Sequence, residues 1–156
     1  MEVKISVRRF DPDSDRPVTR LQEYDLEMDE ASTLLDGLIH IREDIDGSLA
    51  LRCSCRSAIC GSCAVRVNGQ AGLACNTKLT DAMPKDGGPV VVEPAGNMQV
   101  IKDLVVDFGA FWEKVRAVDP WLLPEGQQPQ GEYVAPDEDM VHLAGVVSCI
   151  MSGACV

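Results

Sequence analysis

The sequence of 156 residues predicts an α+β fold class, and three features of its first hundred residues carry that prediction. Apolar and polar residues alternate over positions 2–8, which is the period of a half-buried strand. An amphipathic helix is expected over residues 33–46. The Asn68-Gly69 pair lies between two strand-like runs, which is the strongest short signal for a β-hairpin. Together these features predict a mixed sheet with a helix across one face, the β-grasp arrangement.

The remaining elements of the sheet are placed by composition and turn signals. A turn-rich loop at residues 11–17 separates the first strand from a second one expected over residues 19–28. Residues 81–89 are rich in glycine and proline and are expected to form a loop. Three consecutive valines at residues 90–92 then predict a short buried strand.

The predicted helix has recognisable ends. Thr33 and Asp36 have the spacing of a capping box, and Gly47 stands where a glycine often ends a helix. Gly37 weakens the helix by about 1 kcal/mol, so packing against the sheet is expected to hold it. The apolar face repeats at 3.6-residue spacing and comprises Leu34, Leu38, Ile41 and Ile45.

Four cysteines between the helix and the hairpin carry the chemistry. Cys55, Cys60 and Cys63 have the C-x4-C-x2-C spacing of the plant-type ligand run for a two-iron, two-sulfur cluster, and Cys75 follows as a fourth thiol. Small residues fill the intervening loop, and Gly61 allows backbone conformations that other residues avoid. The loop can therefore wrap closely around an inorganic core, so the pattern predicts an electron carrier.

The hairpin explains how the fourth cysteine reaches the other three. A two-residue turn at Asn68-Gly69 sets Cys63 opposite Ala74, and directly opposed side chains lie about 5 Å apart. Cys75 is one residue further on and should therefore return beside Cys63. We expect Cys63 and Cys75 to share one iron, and Cys55 and Cys60 to hold the other.

Two other uses of these cysteines fit the sequence less well. Structural zinc also binds four thiolates, but usually through two close pairs, whereas three of these cysteines lie in one small-residue loop. Disulfides need an oxidising compartment, to which nothing in the sequence points. Cys53 lies outside the spacing and is expected to behave as a small buried apolar residue.

The last third of the chain has a different pattern. Residues 101–118 are expected to form a helix with an apolar stripe, followed by an extended connector rich in proline, glutamine and glycine at 120–136. A further helix is expected to begin at Asp137 and run through Val147. The chain then ends with Cys149, Ser152 and Cys155, which match the opening of a C-x2-C-x2-C run for a four-iron cluster except for the serine.

Charge and hydropathy indicate which partners and which location to expect for this chain. The net charge of −11 argues against a nucleic-acid partner, because binding phosphates requires a basic patch. No apolar run approaches the roughly 20 residues of a membrane span. The first residues already alternate like a strand, so we expect no leader peptide and a bacterial cytoplasmic location.

These residues resemble a known family. The segments SCRSAICGSCA at 54–64, GLAC at 72–75 and VIKDLVVDFGAFWEKV at 100–115 are similar to the iron–sulfur subunits of succinate dehydrogenase and fumarate reductase. The resemblance covers this chain from end to end but only the N-terminal portion of the family's length. It implies a 2Fe-2S β-grasp domain at 1–106, a helix and connector at 107–136, and the incomplete start of an all-α ferredoxin-like domain at 137–156.

The resemblance also implies the ligands. Cys55, Cys60, Cys63 and Cys75 would bind the 2Fe-2S cluster; some family members have an aspartate at the third of these positions. Cys149 and Cys155 match two ligands of the family's 4Fe-4S cluster, with Ser152 in place of a third. We expect this chain alone to bind no four-iron cluster. The remaining ligands of that cluster and those of a 3Fe-4S cluster would belong to a full-length chain.

The function implied is an electron relay on the cytoplasmic side of a bacterial inner membrane. Electrons would pass singly from a flavoprotein subunit, which oxidises succinate at FAD, towards quinone in a membrane anchor. No general acid, base or nucleophile is expected in this chain. Three alternatives remain open: the reverse reaction of a fumarate reductase, a free-standing soluble ferredoxin, and a zinc-stabilised module. Arg52, Arg56 and Arg66 either point at the cluster and favour its reduced state, or are solvated or paired with the surplus acidic residues.

Overall fold

The computed structural model describes residues 1–15, 19–121, 130–132, 134, 136–145 and 148–154. Its main element is a five-stranded mixed sheet in the order β2-β1-β5-β3-β4. The strands are β1 (Glu2–Arg9), β2 (Arg20–Glu27), β3 (Ala64–Val67), β4 (Gln70–Leu73) and β5 (Val90–Pro94).

The pairing of the strands confirms the predicted α+β class. β1 pairs antiparallel with β2 and parallel with β5, while β3 pairs antiparallel with both β4 and β5. The β1–β5 pair joins the N-terminal hairpin to the hairpin formed by β3 and β4. β5 therefore lies between β1 and β3, and the Asn68-Gly69 turn that follows β3 contacts β5 rather than β1.

Helix α1 (Leu34–His40) lies across one face of the sheet, as predicted. Its capping box is present, because the Asp36 amide donates to Thr33 Oγ1 at 3.3 Å and the Thr33 amide donates to Asp36 Oδ2 at 2.9 Å. The main hydrophobic cluster lies between this helix and the sheet. Its completely buried members include Ile5, Val7, Leu34, Ile41, Leu79, Val90 and Val92.

The close approach of α1 to the sheet accounts for Gly37. A β-carbon built at Gly37 would lie 2.9 Å from Ile5 Cδ1 and 3.6 Å from Leu26 Cδ1. A side chain at this position would therefore require the Ile5 side chain to move. Close packing against the sheet therefore explains why a glycine stands here, although glycine has a low helix propensity.

The end of the helix differs from the prediction. After His40 the chain continues as a π-helical turn over Ile41–Ile45, closed by the Asp46 amide donating to Ile41 O at 2.6 Å. A π turn contains more residues than an α turn, so the apolar spacing no longer applies to its last residue. Ile45 was therefore wrongly assigned to the apolar face, and its side chain is 52% exposed.

The helix predicted over residues 101–118 is wrong in its first part. Residues there form a two-stranded sheet of β6 (Val100–Lys102) and β7 (Val105–Val106), and a helix occupies only Gly109–Ala117. Leu104 and Val106 are buried, so the apolar spacing reflects this hairpin rather than one helical face. Asp103 allows the reversal because it adopts a left-handed backbone conformation at φ 47°.

The helices after α1 are α2 (Leu79–Ala82), α3 (Gly109–Ala117) and α4 (Asp137–Leu143). The single turn α2 includes residues 81 and 82, so the loop predicted at 81–89 begins only after Ala82. Leu79 of this turn is completely buried. Helix α4 begins at Asp137 as predicted but ends at Leu143, and Ala144 and Gly145 form a turn, so the helix stops short of the predicted end at Val147. Val147 itself lies outside the described residues, as does most of the connector predicted at 120–136. None of the helices in the described ranges is long and apolar enough to cross a membrane.

A buried ion pair joins β1 to the β6–β7 hairpin. Arg9 Nε donates to Asp103 Oδ1 at 2.9 Å, and the two residues are only 7% and 1% exposed. Asp103 also accepts hydrogen bonds from the Phe10 and Ala50 amides, at 3.0 and 2.8 Å. The other Arg9 nitrogens reach Asp46 Oδ2 at 2.6 Å as well as Tyr24, Gln22 and Ser48.

We expect Asp103→Asn to destabilise the fold strongly. The substitution preserves shape and tolerates the left-handed backbone. It removes the more deeply buried of the two carboxylates that pair with Arg9 and leaves only that of Asp46, a loss of about 3 kcal/mol. The thermal unfolding midpoint should then fall by at least about 6 °C. Asp25→Asn is the matched control, because Asp25 forms only an exposed ion pair with Lys4 at 3.5 Å. Equal midpoints for the two variants would contradict this assignment.

Candidate metal centre

The four cysteines singled out by their spacing lie around one loop, here called the cluster loop and comprising residues 53–63. Cys55, Cys60 and Cys63 belong to the loop, and Cys75 follows β4. The predicted hairpin register is confirmed: Val67 pairs with Gln70, and the Ala74 amide donates to Cys63 O at 3.0 Å. The strands therefore return Cys75 to the side of Cys63.

Contacts of the sulfur atoms connect the four residues. The Ala58 amide donates to Cys75 Sγ at 3.4 Å, which joins the hairpin to the cluster loop. Cys55 Sγ accepts from the Ser57 and Cys60 amides at 3.4 and 3.3 Å. The thiols of Cys63 and Cys75 are within hydrogen-bonding reach of each other, and so are those of Cys55 and Cys60. The sulfurs thus approach as the two pairs expected from the sequence.

The backbone of the cluster loop is strained in a way that suits an anion. Arg56, Ala58 and Gly61 have φ values of 55°, 58° and 70°, and two of these three residues are not glycine. Residues in this conformation cost free energy and persist where the surroundings hold them. Here the turns direct backbone amides at sulfur, and such concave arrays of N–H groups are found at iron–sulfur sites. Four thiols and inward amides fit a two-iron cluster, whose sulfurs carry negative charge.

The thiols have unlike environments. Hydrogen bonds with the Ser62 side chain, with the Cys55 and Ser62 backbone and with the Cys55 thiol lower the pKa of the Cys60 thiol to about 6. Burial, with Cys75 alongside, raises the pKa of the Cys63 thiol to about 11. Because iron binds thiolate, both thiols must lose their protons on ligation, and Cys63 holds its proton more tightly than Cys60.

The arginines near the ligands are held by the protein. Arg52 Nη1 donates to Val106 O at 2.8 Å, and its guanidinium lies 5.5 Å from the centre of the Phe108 ring. A β-carbon at Gly96 would lie 3.3 Å from Arg66 Nη1, so the Arg66 side chain packs over that glycine. Arg56 is exposed. Arg52 and Arg66 are exposed as well, which agrees with the solvated alternative.

Cys53 contacts the edge of the hydrophobic core, as predicted, although it is half-buried rather than buried. Its thiol also hydrogen-bonds with Arg42. It therefore lies apart from the four cysteines of the metal centre.

The described contacts of Cys149 and Ser152 do not bring these two residues together as a second metal centre. Cys149 is exposed and its sulfur accepts from the Met151 amide at 3.4 Å, whereas Ser152 Oγ accepts from the Ala154 amide at 3.4 Å. Cys155 lies outside the described residues. Within the described part of the chain, no three Cys, His, Asp or Glu side chains are grouped so that they could hold one metal ion. This holds for Cys55, Cys60, Cys63 and Cys75 as well, whose thiols approach as two pairs.

The segment 148–154 instead packs on the cluster loop, which the sequence did not predict. A β-carbon built at Gly61 would lie 2.8 Å from Ser152 Cα and Cβ and 3.0 Å from Ile150 O. On the other side of the segment, a β-carbon at Gly153 would lie 3.1 Å from Met98 Cε. Paired glycines 92 residues apart gave no periodic signal, so only the tertiary structure could reveal this contact.

Asn68 has a second role that the turn signal did not reveal. Its side chain accepts from the Val91 amide at 2.9 Å and donates to Ala82 O at 2.8 Å, while its own amide donates to Val91 O. The residue therefore anchors the turn to β5 and α2. Through this anchoring it positions the strands that carry Cys63 and Cys75.

A β-grasp sheet whose strained loop and hairpin gather four cysteines defines an iron–sulfur protein of the ferredoxin class. Residues 4–113 match the family described as the 2Fe-2S iron-sulfur cluster binding domain, and the chain belongs to that family. The predicted 2Fe-2S cofactor is thereby confirmed at the level of the family.

Relatives with longer chains carry the resemblance further. The chain is 37% identical over 153 residues to the mitochondrial succinate dehydrogenase [ubiquinone] iron-sulfur subunit 1 of Oryza sativa subsp. japonica, covering 96% of this chain and 53% of that one. It is 41% identical over 133 residues to the fumarate reductase iron-sulfur subunit of Mycobacterium tuberculosis, covering 84% and 52%.

A solved structure supports the same relationship. The chain superposes with a TM-score of 0.84 and 28% identity on a chain of the Mycobacterium smegmatis Sdh1 complex in the apo form, covering 99% of this chain and 62% of that one. The predicted resemblance to iron–sulfur subunits of succinate dehydrogenase and fumarate reductase is thus confirmed. The chain spans about half the length of the curated relatives it matches.

We expect Gly61→Ala to displace segment 148–154 from the cluster loop. The new methyl group would meet backbone atoms of Ser152, and such overpacking costs about 1–3 kcal/mol beyond the backbone strain. Amide hydrogen exchange over residues 148–154 should become faster.

Gly69→Ala is the control for backbone strain. Gly69 also has a positive φ, of 82°, but a β-carbon there would meet nothing within 4 Å. Hydrogen exchange over residues 148–154 should stay unchanged in this variant. The same acceleration in both variants would mean that strain, and not contact with Ser152, causes it.

Proposed function

We propose that this chain is the electron-transfer subunit of a succinate dehydrogenase and relays single electrons from a flavoprotein towards membrane quinone. The convergence of four cysteine sulfurs at the cluster loop carries the proposal. The similarity to succinate dehydrogenase iron–sulfur subunits over nearly the whole chain supports the choice of reaction. In this role the bound cluster accepts and donates one electron at a time.

We propose Cys55 and Cys60 as ligands of one iron and Cys63 and Cys75 as ligands of the other. The mutual approach of each pair of thiols supports this division. The register of β3 and β4, which returns Cys75 to Cys63, supports it independently.

The protein's part in this function is to bind the cluster, orient it and limit its exposure to water. Backbone amides of Ser57, Ala58 and Cys60 donate to the ligand sulfurs. Cys63 is buried under the helix, whereas Cys60 is exposed at the surface. The exposed side of the loop is therefore the side from which an electron donor or acceptor can approach. No acid–base step is assigned to this chain, because electron transfer requires none.

The division of the chain is part of the same proposal. We assign residues 1–106 to the 2Fe-2S domain, residues 107–136 to a helix and connector, and residues 137–156 to the start of a 4Fe-4S domain. The end of β7 at Val106 and the start of α4 at Asp137 support these boundaries. We propose Cys149, Ser152 and Cys155 as part of the ligand set of a 4Fe-4S cluster. The remaining ligands of that cluster and those of a 3Fe-4S cluster would belong to a full-length chain.

The partners and location follow from the relay. An FAD-containing subunit would supply electrons, and a membrane anchor holding quinone would receive them at the cytoplasmic face of a bacterial inner membrane. The chain would attach through these subunits rather than through a span of its own. Its net charge of −11 disfavours nucleic acid as a further partner.

A fumarate reductase working in the opposite direction is the second candidate. The 41% identity to the fumarate reductase iron-sulfur subunit of Mycobacterium tuberculosis favours it. The same ligands and relay would serve both directions.

Purification of the protein with its associated subunits tests the proposal. We expect a two-iron electron paramagnetic resonance signal that develops on adding succinate, together with a co-purifying flavoprotein. A two-iron cluster that succinate does not reduce, but whose reduced form is oxidised by fumarate, would favour the second candidate. A two-iron protein that purifies without a flavoprotein would indicate a free carrier. A colourless protein with one zinc would exclude the succinate dehydrogenase subunit, the fumarate reductase subunit and the free carrier alike.

We expect Cys60→Ala to abolish the two-iron signal, since the loop retains no other thiol at that position. Cys63→Asp should retain a cluster with an altered spectrum, because an aspartate occupies this position in some members of the resembled family. Cys53→Ala should leave iron content unchanged, as Cys53 packs on the core. Equal loss of iron in Cys60→Ala and Cys63→Asp would contradict the assignment of Cys63.

A further inference from the structure

We propose that the hydroxyl of Ser62 raises the reduction potential of the two-iron cluster by donating a hydrogen bond to the sulfur of Cys60. This inference rests on the proposed function as an electron carrier and names a residue that adjusts it. Ser62 is not a ligand in the assignment above. It would act through Cys60, so it is a positioning residue.

The geometry places the hydroxyl at the sulfur. Ser62 Oγ lies 3.3 Å from Cys60 Sγ, within hydrogen-bonding distance for sulfur. A free thiol donates its proton to this oxygen, whereas a thiolate has none to give. Once Cys60 is a thiolate ligand, the hydroxyl must be the donor. The Ser62 backbone also hydrogen-bonds with the Cys60 thiol, so the same residue holds this sulfur at two points.

Ser62 is well held for this purpose. It is half-buried between Gly61 and Cys63, both of which are buried, and it lines a cleft beside Arg52, Phe108 and Trp112. Restricted on both sides, its side chain loses less entropy in pointing at sulfur than an exposed serine would.

Apart from the contacts between the cysteine thiols themselves, the other hydrogen bonds to the ligand sulfurs described above come from the backbone. Ser57 and Cys60 amides donate to Cys55, and the Ala58 amide donates to Cys75. Those donors are present whatever side chain the loop carries. Ser62, in contrast, uses its side chain, so its contribution can be changed by substitution without rebuilding the loop.

The direction of the effect follows from charge. Reduction adds one electron to the cluster and makes its sulfurs more negative, so a donor at sulfur stabilises the reduced state more than the oxidised one. Removing a hydrogen bond worth about 1 kcal/mol in this difference changes the reduction equilibrium about fivefold. At 59 mV for each tenfold change in a one-electron equilibrium, the potential falls by about 40 mV.

Redox titration of the purified complex, followed by the two-iron paramagnetic signal, tests the inference. Ser62→Ala should lower the midpoint potential by about 40 mV, whereas Ser62→Thr, which keeps the hydroxyl, should stay close to the unsubstituted protein. Ser57→Ala is the matched control. Its hydroxyl donates to the Cys55 carbonyl oxygen at 3.0 Å rather than to sulfur, so its loss should leave the potential unchanged.

Ser62→Val adds a second comparison, because valine has the shape of threonine without the hydroxyl. A lower potential in Ser62→Val than in Ser62→Thr supports the proposal even where Ser62→Ala assembles no cluster. Equal potentials in Ser62→Val and Ser62→Thr overturn the proposal. It is also overturned if both variants without a hydroxyl, Ser62→Ala and Ser62→Val, assemble no cluster while Ser62→Thr does. Absence of a two-iron signal from the unsubstituted complex overturns the proposed function instead.

Discussion

The ion pair between Arg9 and Asp103 is the constraint on which much of this structure depends. It joins the end of β1 to a reversal 94 residues later in the chain, and both partners are buried. A buried charge is costly unless it is paired and its remaining donors and acceptors are satisfied. The π turn before Asp46 brings a second carboxylate to Arg9, and the Ala50 amide binds Asp103. The segment that leads into the cluster loop is thereby anchored at its start.

The cluster loop combines this anchoring with local strain. One end continues from the segment held by Asp103, and the other becomes β3, whose turn is held by Asn68. Between these fixed ends, residues with positive φ direct amides towards sulfur. The strain is sustained because both ends belong to the core, and its product is a set of donors that suits a negatively charged cluster.

Local patterns in the sequence were sufficient for most of the fold and for the four proposed ligands. Alternation predicted β1, the capping box predicted the start of α1, and Asn68-Gly69 predicted a hairpin whose register the structure confirms. They failed at residues 100–106, where apolar spacing compatible with a helix belongs to a hairpin. The reversal there depends on Asp103, whose partner is too distant in sequence for any local pattern to include.

The sequence by itself determined the cysteine spacing, the turn that returns Cys75, and hence the class of cofactor, because each depends on residues close together in the chain. Only the tertiary structure decided which side chains support that site. The approaches of Ile5 to a β-carbon at Gly37, of Ser152 to a β-carbon at Gly61 and of Ser62 Oγ to Cys60 Sγ are 2.9, 2.8 and 3.3 Å. Such distances arise from how distant segments pack and how a strained loop closes, and residue types alone do not encode them in any readable pattern.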